Sequence, residues 1–257
     1  MKIKMIVTDL DDTLLHSDKS ISDETVRVFG ECRKQGIITV IATARYWIGA
    51  EMCIDVLHPD YEITTDGTLV HQNGKLVCED GFDLETTNRI IEKILCADSN
   101  AEIITAVGRK AYWNSFHIAE SDKLYKAEYF DYREPLKEAA QKFTVFSDDR
   151  ATVEMLAKEC GCKLTSYRGE NLYRLTPHGT GKLQMIRILA DKLGIAMEHI
   201  AAFGDDVNDI PMLEACGLGV AVANAGEEVK TIADKVTLSN DEDGVAYYIE
   251  KEILHHN

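Results

Sequence analysis

The sequence has few of the features that mark membrane, secreted or zinc-binding proteins. No apolar run among its 257 residues approaches the length of a membrane span, and residues 3–7 are too short for a signal-peptide core. Its seven cysteines are odd in number, and only Cys160-Gly161-Cys162 brings two of them close together. Without a second pair at zinc-ligand spacing, this pattern predicts free thiols in a reduced, cytoplasmic protein.

Positive charge is also scarce. Lys and Arg number 28 against 44 Asp and Glu, which gives a formal net charge of −16. This balance argues against nucleic acid as a partner, because a polyanion is bound by displacing its counterions with Lys and Arg. An anionic substrate would therefore have to be held by a local group of cations.

The two ends of the sequence alternate between strand and helix patterns. Residues 3–8 and 37–42 are apolar runs rich in β-branched side chains, and residues 22–35 and 47–57 have helical patterning. Strands that are apolar throughout predict a parallel sheet covered on both faces. The fold class expected is therefore α/β, with a doubly wound parallel sheet.

The middle of the sequence has a different pattern. Asn73-Gly74 between two short apolar runs predicts a tight hairpin, and beyond residue 82 the strands are more mixed in polarity, as in residues 142–146. The first pattern returns with a helix over residues 181–193 and a strand over residues 199–203. We therefore expect one domain from residues 1–81 and 179–257, with an inserted α+β domain of half-exposed sheet at residues 82–178.

An acidic segment follows the first predicted strand. Asp9-Leu10-Asp11-Asp12-Thr13 places Asp9 and Asp11 two positions apart, so that both would point the same way from the end of a strand. Two converging carboxylates need a proton or a cation between them, and oxygen ligands of this kind suit Mg²⁺. An acidic turn without catalytic use is the alternative interpretation.

Two further segments carry donors for an anion. Thr43-Ala44-Arg45 ends the second predicted strand, and Lys182 begins a helix after Gly179-Thr180-Gly181. The segment before Lys182 is neither of two known glycine-rich nucleotide motifs. A P-loop would need Gly and Ser or Thr where Thr176 and Leu183 stand, and a dinucleotide fingerprint would need a small residue in place of Gln184.

A second acidic segment follows the predicted strand 199–203. Gly204-Asp205-Asp206-Val207-Asn208-Asp209 concentrates three carboxylates and a carboxamide. Helix capping explains one of these acids and leaves the others unexplained. A nucleophile, an acid/base, metal ligands and a cationic clamp are together the requirements of phosphoryl transfer through an aspartate.

These four segments, in this order, resemble the four motifs of the haloacid dehalogenase superfamily. The long insertion, with residue 82 onward as a cap, resembles the Cof-type branch, which has a class II, type B cap. The resemblance implies a Rossmann-like core with an α+β cap, and a Mg²⁺-dependent phosphatase that hydrolyses small phosphate monoesters such as sugar phosphates. A phosphomutase that uses the same aspartyl phosphate and a phospho-receiver signalling domain are the alternatives.

The resemblance also implies roles for individual residues. Asp9 would be the nucleophile and Asp11 the acid/base. The implied metal site consists of Asp9, Asp205 and the backbone carbonyl of Asp11, with Asp209 and Asn208 around it. Phosphate-binding residues would be Thr43, Ala44 and Lys182, and substrate-binding residues Arg45, Asp66, Gly67 and Asn208.

The sequence departs from the family pattern at three places near the expected site, one of which is Leu183, where the family usually has Gly after the Lys. Ala44 stands where the family usually has Gly, and Asp66-Gly67-Thr68 stands where it usually has Asn-Gly-Ala. Candidate cap contacts to the leaving group are Arg109, Tyr112, Trp113, His117 and Arg174, although sheet packing or surface exposure is the more ordinary role for each. The expected partner is a small phosphorylated metabolite, without a membrane partner, and the chain is expected to be a monomer or homodimer.

Overall fold

The computed structural model describes residues 2–115, 127–166 and 171–255, and its strands form two sheets. The predicted α/β fold is confirmed. None of the helices in the described ranges has the length and hydropathy of a membrane span. The cap candidate His117 lies outside the described ranges.

The elements alternate along the chain much as the patterns predict. The strands are β1 (Met5–Thr8), β2 (Ile38–Ala42), β3 (Tyr61–Thr64), β4 (Leu69–Gln72), β5 (Lys75–Glu79), β6 (Glu102–Val107), β7 (Lys110–Trp113), β8 (Glu128–Tyr129), β9 (Lys142–Phe146), β10 (Cys162–Ser166), β11 (Leu172–Pro177), β12 (Ile200–Gly204), β13 (Leu218–Ala221) and β14 (Lys235–Val236). The helices are α1 (Asp23–Lys34), α2 (Trp47–Leu57), α3 (Leu84–Ala97), α4 (Arg150–Glu159), α5 (Lys182–Leu193), α6 (Ile210–Ala215), α7 (Glu227–Ile232) and α8 (Gly244–Tyr248). Short 3₁₀ turns at Met197–His199 and Asn240–Glu242 and a π-helical segment at Ile249–Leu254 complete the description.

The first sheet has eight strands in the order β14-β13-β12-β1-β2-β3-β4-β5. β1 lies between β2 and β12 and runs parallel to both. All four residues of β1 are buried, which agrees with an apolar strand covered by helices on both faces. From β1 the chain adds strands first on one side and later on the other, so the carboxyl ends of β1, β2 and β12 border the crevice where open parallel sheets bind ligands.

Local signals in the sequence explain where the first elements begin and turn. α1 starts where the Ser22 side chain accepts a hydrogen bond from the Thr25 backbone N–H, as an N-cap residue should. The β4–β5 hairpin turns at Asn73 and Gly74, whose φ angles of 51° and 71° are both positive, as a two-residue type I′ turn requires. Both features agree with the sequence-based prediction.

The second sheet has the order β10-β11-β9-β6-β7-β8 and is built from strands between Glu102 and Pro177. One face packs against α3 and α4 through side chains that include Phe143 and Val145. The prediction of a half-exposed sheet is wrong for its centre, because Lys142 and Thr144 on the other face are buried. They lie against the loop that follows β2, where the Tyr46 hydroxyl is 2.6 Å from the Thr144 hydroxyl.

A buried pair of titratable side chains lies at the β3–β4 contact. Glu62 and His71 are cross-strand partners with exposed fractions of 1% and 2%. Burial raises the pKa of Glu62 to about 7. Burial, together with the positive charge of Arg109, lowers the pKa of His71 to about 4. The folded chain therefore favours the uncharged form of both groups.

This pair predicts a pH-dependent stability difference between the native chain and Glu62→Gln. Because the folded-state pKa of Glu62 is raised, the protonated side chain contributes to the stability of the fold. This contribution is fully present below the unfolded-state pKa near 4.5 and is lost as pH rises through the folded-state pKa of about 7. Between these two pH values the native chain should therefore lose about 2 to 3 kcal/mol of unfolding free energy relative to Glu62→Gln, which cannot ionise at this position. Urea unfolding at several pH values measures the difference.

Glu79→Gln, at the exposed end of β5, is the matched control. It should leave the pH dependence of the free energy of unfolding the same as in the native chain. A difference between Glu62→Gln and the native chain that stays constant across the same pH range would contradict the burial argument.

Candidate active site

A cavity of about 790 Å³ lies between the carboxyl edge of the first sheet and the second sheet. Its size is in the range of sites for small molecules. The predicted site residues on its wall are Asp9, Asp11, Thr43, Ala44, Arg45, Asp66, Lys182, Asp205 and Asn208. Residues far apart in the sequence thus meet in one space.

Asp9 and Asp11 reach this cavity because the chain continues β1 by one residue and then turns. The Asp9 backbone N–H donates to the Phe203 carbonyl at 3.0 Å, which extends the parallel pairing with β12. Leu10 between the two acids is fully buried in the core of the first sheet. Both carboxylates line the cavity, as the spacing predicts, but Asp11 is placed there by the turn after the strand and not by strand alternation.

Lys182, at the start of α5, forms two buried ion pairs. Its Nζ lies 2.9 Å from Asp9 Oδ1 and 2.7 Å from Asp209 Oδ1. Burial lowers the pKa of Lys182, but the charges of the two carboxylates outweigh burial and raise it overall. Burial raises the pKa of Asp9 to about 8, with further contributions from the charges of Asp209 and Asp205 against the lowering effect of Lys182.

The side chain of Asp209 fixes the backbone of the second acidic segment by hydrogen bonds. Its Oδ2 accepts the backbone N–H groups of Asp205 at 3.1 Å and Asp206 at 3.2 Å, while its Oδ1 accepts from Lys182. A Cβ on Gly204 would lie 2.5 Å from the Asp209 Cβ, so the strand must end in glycine. Asp209 is fully buried and has both oxygens engaged.

Three carboxylates converge closely enough to hold a metal ion. One oxygen from each of Asp9, Asp205 and Asp209 lies within 4.8 Å of the others. Burial, with the charge of Asp209, raises the pKa of Asp205 to about 7, and the Thr13 hydroxyl donates to this carboxylate. Buried acids that crowd in this way are stabilised by a divalent cation, and the oxygen donors fit Mg²⁺.

Asp11 is held by a guanidinium. Arg45 donates from Nε to Asp11 Oδ2 at 2.7 Å and from Nη2 to Asp11 Oδ1 at 2.6 Å. Burial raises the pKa of Asp11, but Arg45 and the nearby Lys19 outweigh burial and lower it overall. Arg45, predicted as a substrate contact, therefore binds the predicted acid/base in this structure. The carboxylate of Asp11 is committed to Arg45 and lies outside the three-acid cluster.

Three other predicted residues form hydrogen bonds within or between the segments that surround the cavity. The Thr43 hydroxyl oxygen accepts from the Arg45 backbone N–H at 3.1 Å. The Ala44 carbonyl accepts from Lys142 Nζ at 3.0 Å. Asn208 donates its side-chain amide to Asp206 Oδ2 at 2.9 Å, so both belong to the acidic loop.

The segment Thr65-Asp66-Gly67 is a turn with three successive positive φ angles, of 58°, 58° and 77°. Gly67 packs tightly there, since an added Cβ would lie 2.3 Å from the Gly181 carbonyl carbon. Gly67, predicted as a substrate contact, instead allows this turn to press against the start of α5. The same turn directs Asp66 into the cavity.

Asp66 forms an ion pair with the second sheet that no local pattern in the sequence predicts. Its Oδ2 lies 2.5 Å from Lys142 Nζ, and its Oδ1 lies 3.7 Å from Arg174 Nη1. Burial raises the pKa of Asp66, but Lys142 and Arg174 outweigh burial and lower it overall. Burial lowers the pKa of Lys142 to about 8, in spite of Asp66.

Of the described cap candidates, Arg174 lies on the cavity wall and three others have structural contacts elsewhere. The guanidinium carbon of Arg109 lies 3.4 Å from the centre of the Trp47 ring. Tyr112 packs against Phe130, with ring centroids 5.6 Å apart, and Trp113 stacks on Phe146 at 5.9 Å. Sheet packing and a contact with helix α2 therefore account for these three residues.

A repeated pattern in the sequence predicts most of the residues that the second sheet contributes to the cavity wall. Three strands carry a cation, an apolar residue and a threonine in turn, as Lys142-Phe143-Thr144, Lys163-Leu164-Thr165 and Arg174-Leu175-Thr176. In a strand the first and third residues share one face, and all six of these lie on the cavity wall.

Comparison with known proteins identifies the family. A sequence profile described as haloacid dehalogenase-like hydrolase matches residues 6–249. The chain belongs to the haloacid dehalogenase-like hydrolase family. The sequence-based resemblance is confirmed, and the chain is a hydrolase.

Individual relatives of this hydrolase cover nearly its full length. It is 29% identical over 254 residues to the 5-amino-6-(5-phospho-D-ribitylamino)uracil phosphatase YcsE of Bacillus subtilis (strain 168), covering 98% of this chain and 96% of that protein. A haloacid dehalogenase-like hydrolase of Bacteroides thetaiotaomicron superposes with a TM-score of 0.83 at 26% identity, over 97% of this chain and 99% of the other. A subclass IIB sugar phosphatase of the same superfamily superposes with a TM-score of 0.80 at 22% identity, over 96% and 98% of the two chains.

The close packing at Gly67 generates a mutational prediction. In Gly67→Ala the new methyl group would collide with the backbone of Gly181 and Lys182, so the start of α5 must shift. We expect a loss of about 3 kcal/mol or more in the free energy of unfolding, together with a fall in hydrolase activity. Denaturant unfolding and activity assays measure the two effects.

Gly36→Ala is the matched control, because Gly36 has a similar φ of +73° but no heavy atom within 4 Å of an added Cβ. It should lose about 1 kcal/mol through backbone strain alone and retain activity. Equal losses for the two variants would show that the contact with α5 is unimportant.

Proposed function

We propose that the protein is a Mg²⁺-dependent phosphatase that hydrolyses small phosphate monoesters through an aspartyl phosphate on Asp9. The observation that carries this proposal is the arrangement around Asp9, which has Lys182 at 2.9 Å and the Asp205 carboxylate in the same three-acid cluster. A nucleophilic carboxylate beside a fixed cation and metal-binding oxygens suits attack on a phosphoryl group. The phosphatase relative in Bacillus subtilis supports this reaction class.

Asp9 and Asp205 would hold Mg²⁺, with the backbone carbonyl of Asp11 as a further ligand. The raised pKa values of Asp9 and Asp205 support this assignment, since the two buried acids lack enough compensating positive charge. Asp209 would position Lys182 and the acidic loop, because hydrogen bonds engage both of its oxygens. When bound, Mg²⁺ would neutralise charge on the phosphoryl oxygens and on Asp9.

The chain's own groups complete the reaction in two displacements. An Asp9 carboxylate oxygen attacks phosphorus, the bond from phosphorus to the ester oxygen breaks, and Asp11 gives its proton to the departing alcohol oxygen. A water then attacks phosphorus and gives a proton to Asp11, and the bond from phosphorus to Asp9 breaks. The products are the free alcohol, inorganic phosphate and the original carboxylate of Asp9.

The phosphoryl oxygens would be bound by Lys182 and the Thr43 hydroxyl, both on the cavity wall. Arg45 has a second role in this scheme, because Asp11 can accept a proton only when the guanidinium releases its carboxylate. A phosphate ester entering the cavity offers Arg45 another anion to bind. Substrate binding would thus free Asp11 for proton transfer.

The proposed substrates are small phosphorylated metabolites, and the proposed compartment is the cytoplasm. A cavity of about 790 Å³ accommodates a molecule of that size. All seven cysteines are free thiols, which suits a reducing compartment. A monomer or a homodimer stays a prediction.

Substitution of the nucleophile tests the reaction itself. Native protein with Mg²⁺ should release inorganic phosphate from a panel of phosphate esters, and Asp9→Asn should lose this activity by at least about a thousandfold, because no aspartyl phosphate can form. Phosphate release with and without Mg²⁺ is the measurement. Asp12→Asn is the control, since Asp12 is an exposed acid paired with Lys19.

An isomerised sugar phosphate instead of free phosphate would indicate a mutase.

Substitution of the acid/base tests the two displacements separately. Asp11→Asn should lose about a hundredfold or more in turnover of alkyl phosphates, whose alkoxides need a proton. With p-nitrophenyl phosphate, whose leaving group departs without one, it should give a burst of p-nitrophenol followed by slow turnover. Rapid-mixing kinetics measures the burst. An equal loss with both esters and no burst would contradict the assignment of Asp11.

A further inference from the structure

A hydrogen-bonded pair of asparagines ties the segment after Asp9 to the loops that follow β13 and β14. Asn224 donates from its side-chain Nδ2 to the Asp12 carbonyl at 2.7 Å, and its Oδ1 accepts from the Asn240 backbone N–H at 2.9 Å. The side-chain amide of Asn240 donates in turn to the Leu15 carbonyl at 3.0 Å. The pair therefore holds two carbonyls of the same acidic segment.

These contacts leave the Asn224 amide little freedom. Asn240 is 3% exposed and Leu15 is fully buried, so one end of the network is anchored in the core. A backbone N–H can only donate, which places the oxygen of the Asn224 amide toward Asn240 and its nitrogen toward Asp12. Asn224 is thus a fixed donor to the Asp12 carbonyl, although the residue itself is exposed.

The contact falls on a residue with an uncommon backbone conformation. Asp12 has a φ of 56°, in the left-handed region that few residues other than glycine adopt. This conformation is disfavoured by about tenfold for a non-glycine residue, and one hydrogen bond changes an equilibrium by about as much. The bond from Asn224 is therefore large enough to hold Asp12 there. Lys19 adds an ion pair at 2.9 Å, but exposed pairs of this kind contribute little.

The conformation of Asp12 matters because its two neighbours serve the acidic cluster. Asp11 comes before it, and its backbone carbonyl is a proposed ligand of Mg²⁺. Thr13 follows it and donates its hydroxyl to Asp205, which belongs to the three-acid cluster. Because peptide groups are rigid planes, a change of φ at Asp12 would turn the Asp11 carbonyl relative to Thr13.

We propose that Asn224 is a positioning residue for the metal site, because it keeps Asp12 in the left-handed conformation. This conformation fixes the Asp11 carbonyl and the Thr13 hydroxyl relative to each other. The inference rests on the proposed phosphatase function and deepens it. Since β12 separates β13 from β1, the site depends on a loop beyond the two strands that carry its acids.

Metal binding without turnover tests the proposal. Mn²⁺, which prefers the same oxygen ligands as Mg²⁺, is titrated into the protein while electron paramagnetic resonance measures the free ion. Asn224→Ala should raise the dissociation constant about fivefold, the effect of one lost hydrogen bond, and should lower kcat/KM for p-nitrophenyl phosphate by at least as much. Asp205→Asn gives the background binding by other acids. Thermal unfolding shows whether each variant is folded.

Two comparisons separate positioning of Asp12 from a general tie between the segments. Ser17→Ala removes the hydrogen bond from Ser17 Oγ to Asp241 at 2.7 Å, which joins the same two segments, and should leave the affinity for Mn²⁺ unchanged. Asp12→Gly removes the preference for negative φ, so adding Asn224→Ala to this variant should raise the dissociation constant by less than about twofold.

The possible failures are distinguishable. The positioning role is overturned, and the phosphatase function stands, if Asn224→Ala binds Mn²⁺ or hydrolyses the ester as well as the native protein. The same holds if Ser17→Ala is equally impaired, or if Asn224→Ala costs as much in the Asp12→Gly background. If the native protein binds no more Mn²⁺ than Asp205→Asn, the proposed metal site and this inference both fall.

Discussion

The structure depends on the compensation of buried negative charge at one edge of its central sheet. Asp9, Asp205 and Asp209 come together there because β1 and β12 are neighbours that run parallel and end at the same edge. Acids buried this closely repel each other and lose hydration, so they need fixed positive charge. Lys182 supplies part of it from the start of α5, the helix that follows the last strand of the second sheet.

The second sheet closes the cavity through contacts that also compensate charge. Lys142 is almost fully buried at the meeting of the two sheets, which would be costly without the Asp66 carboxylate and the Ala44 carbonyl. The Tyr46–Thr144 hydrogen bond and the stacking of Arg109 on Trp47 add contacts along the same boundary. The covering sheet is thus fixed to the core by the residues that shape the substrate cavity.

Local patterns in the sequence were sufficient to predict the α/β fold, the β4–β5 hairpin and the gathering of Asp9, Asp11, Thr43 and Lys182 in one place. These features depend on strand alternation, turn residues and the shared edge of parallel strands. The Asp66–Lys142 pair and the close packing of Gly67 on Gly181 depend on contacts between distant segments, which no local pattern contains. The choice among the cap candidates, of which Arg174 lines the cavity and Arg109 packs on Trp47, depends on contacts of the same kind, although the repeated cation-apolar-threonine pattern was present in the sequence.

The central claim is that Asp9 carries the phosphoryl group during turnover. Rapid acid quench of the enzyme with a phosphate ester, followed by borohydride reduction and peptide mass spectrometry, locates the modified residue directly. The account predicts that Asp9, within the tryptic peptide of residues 5–19, is converted to homoserine only when substrate is present. Modification at another residue, or steady phosphate release with Asp9 never modified under single-turnover conditions, would contradict it.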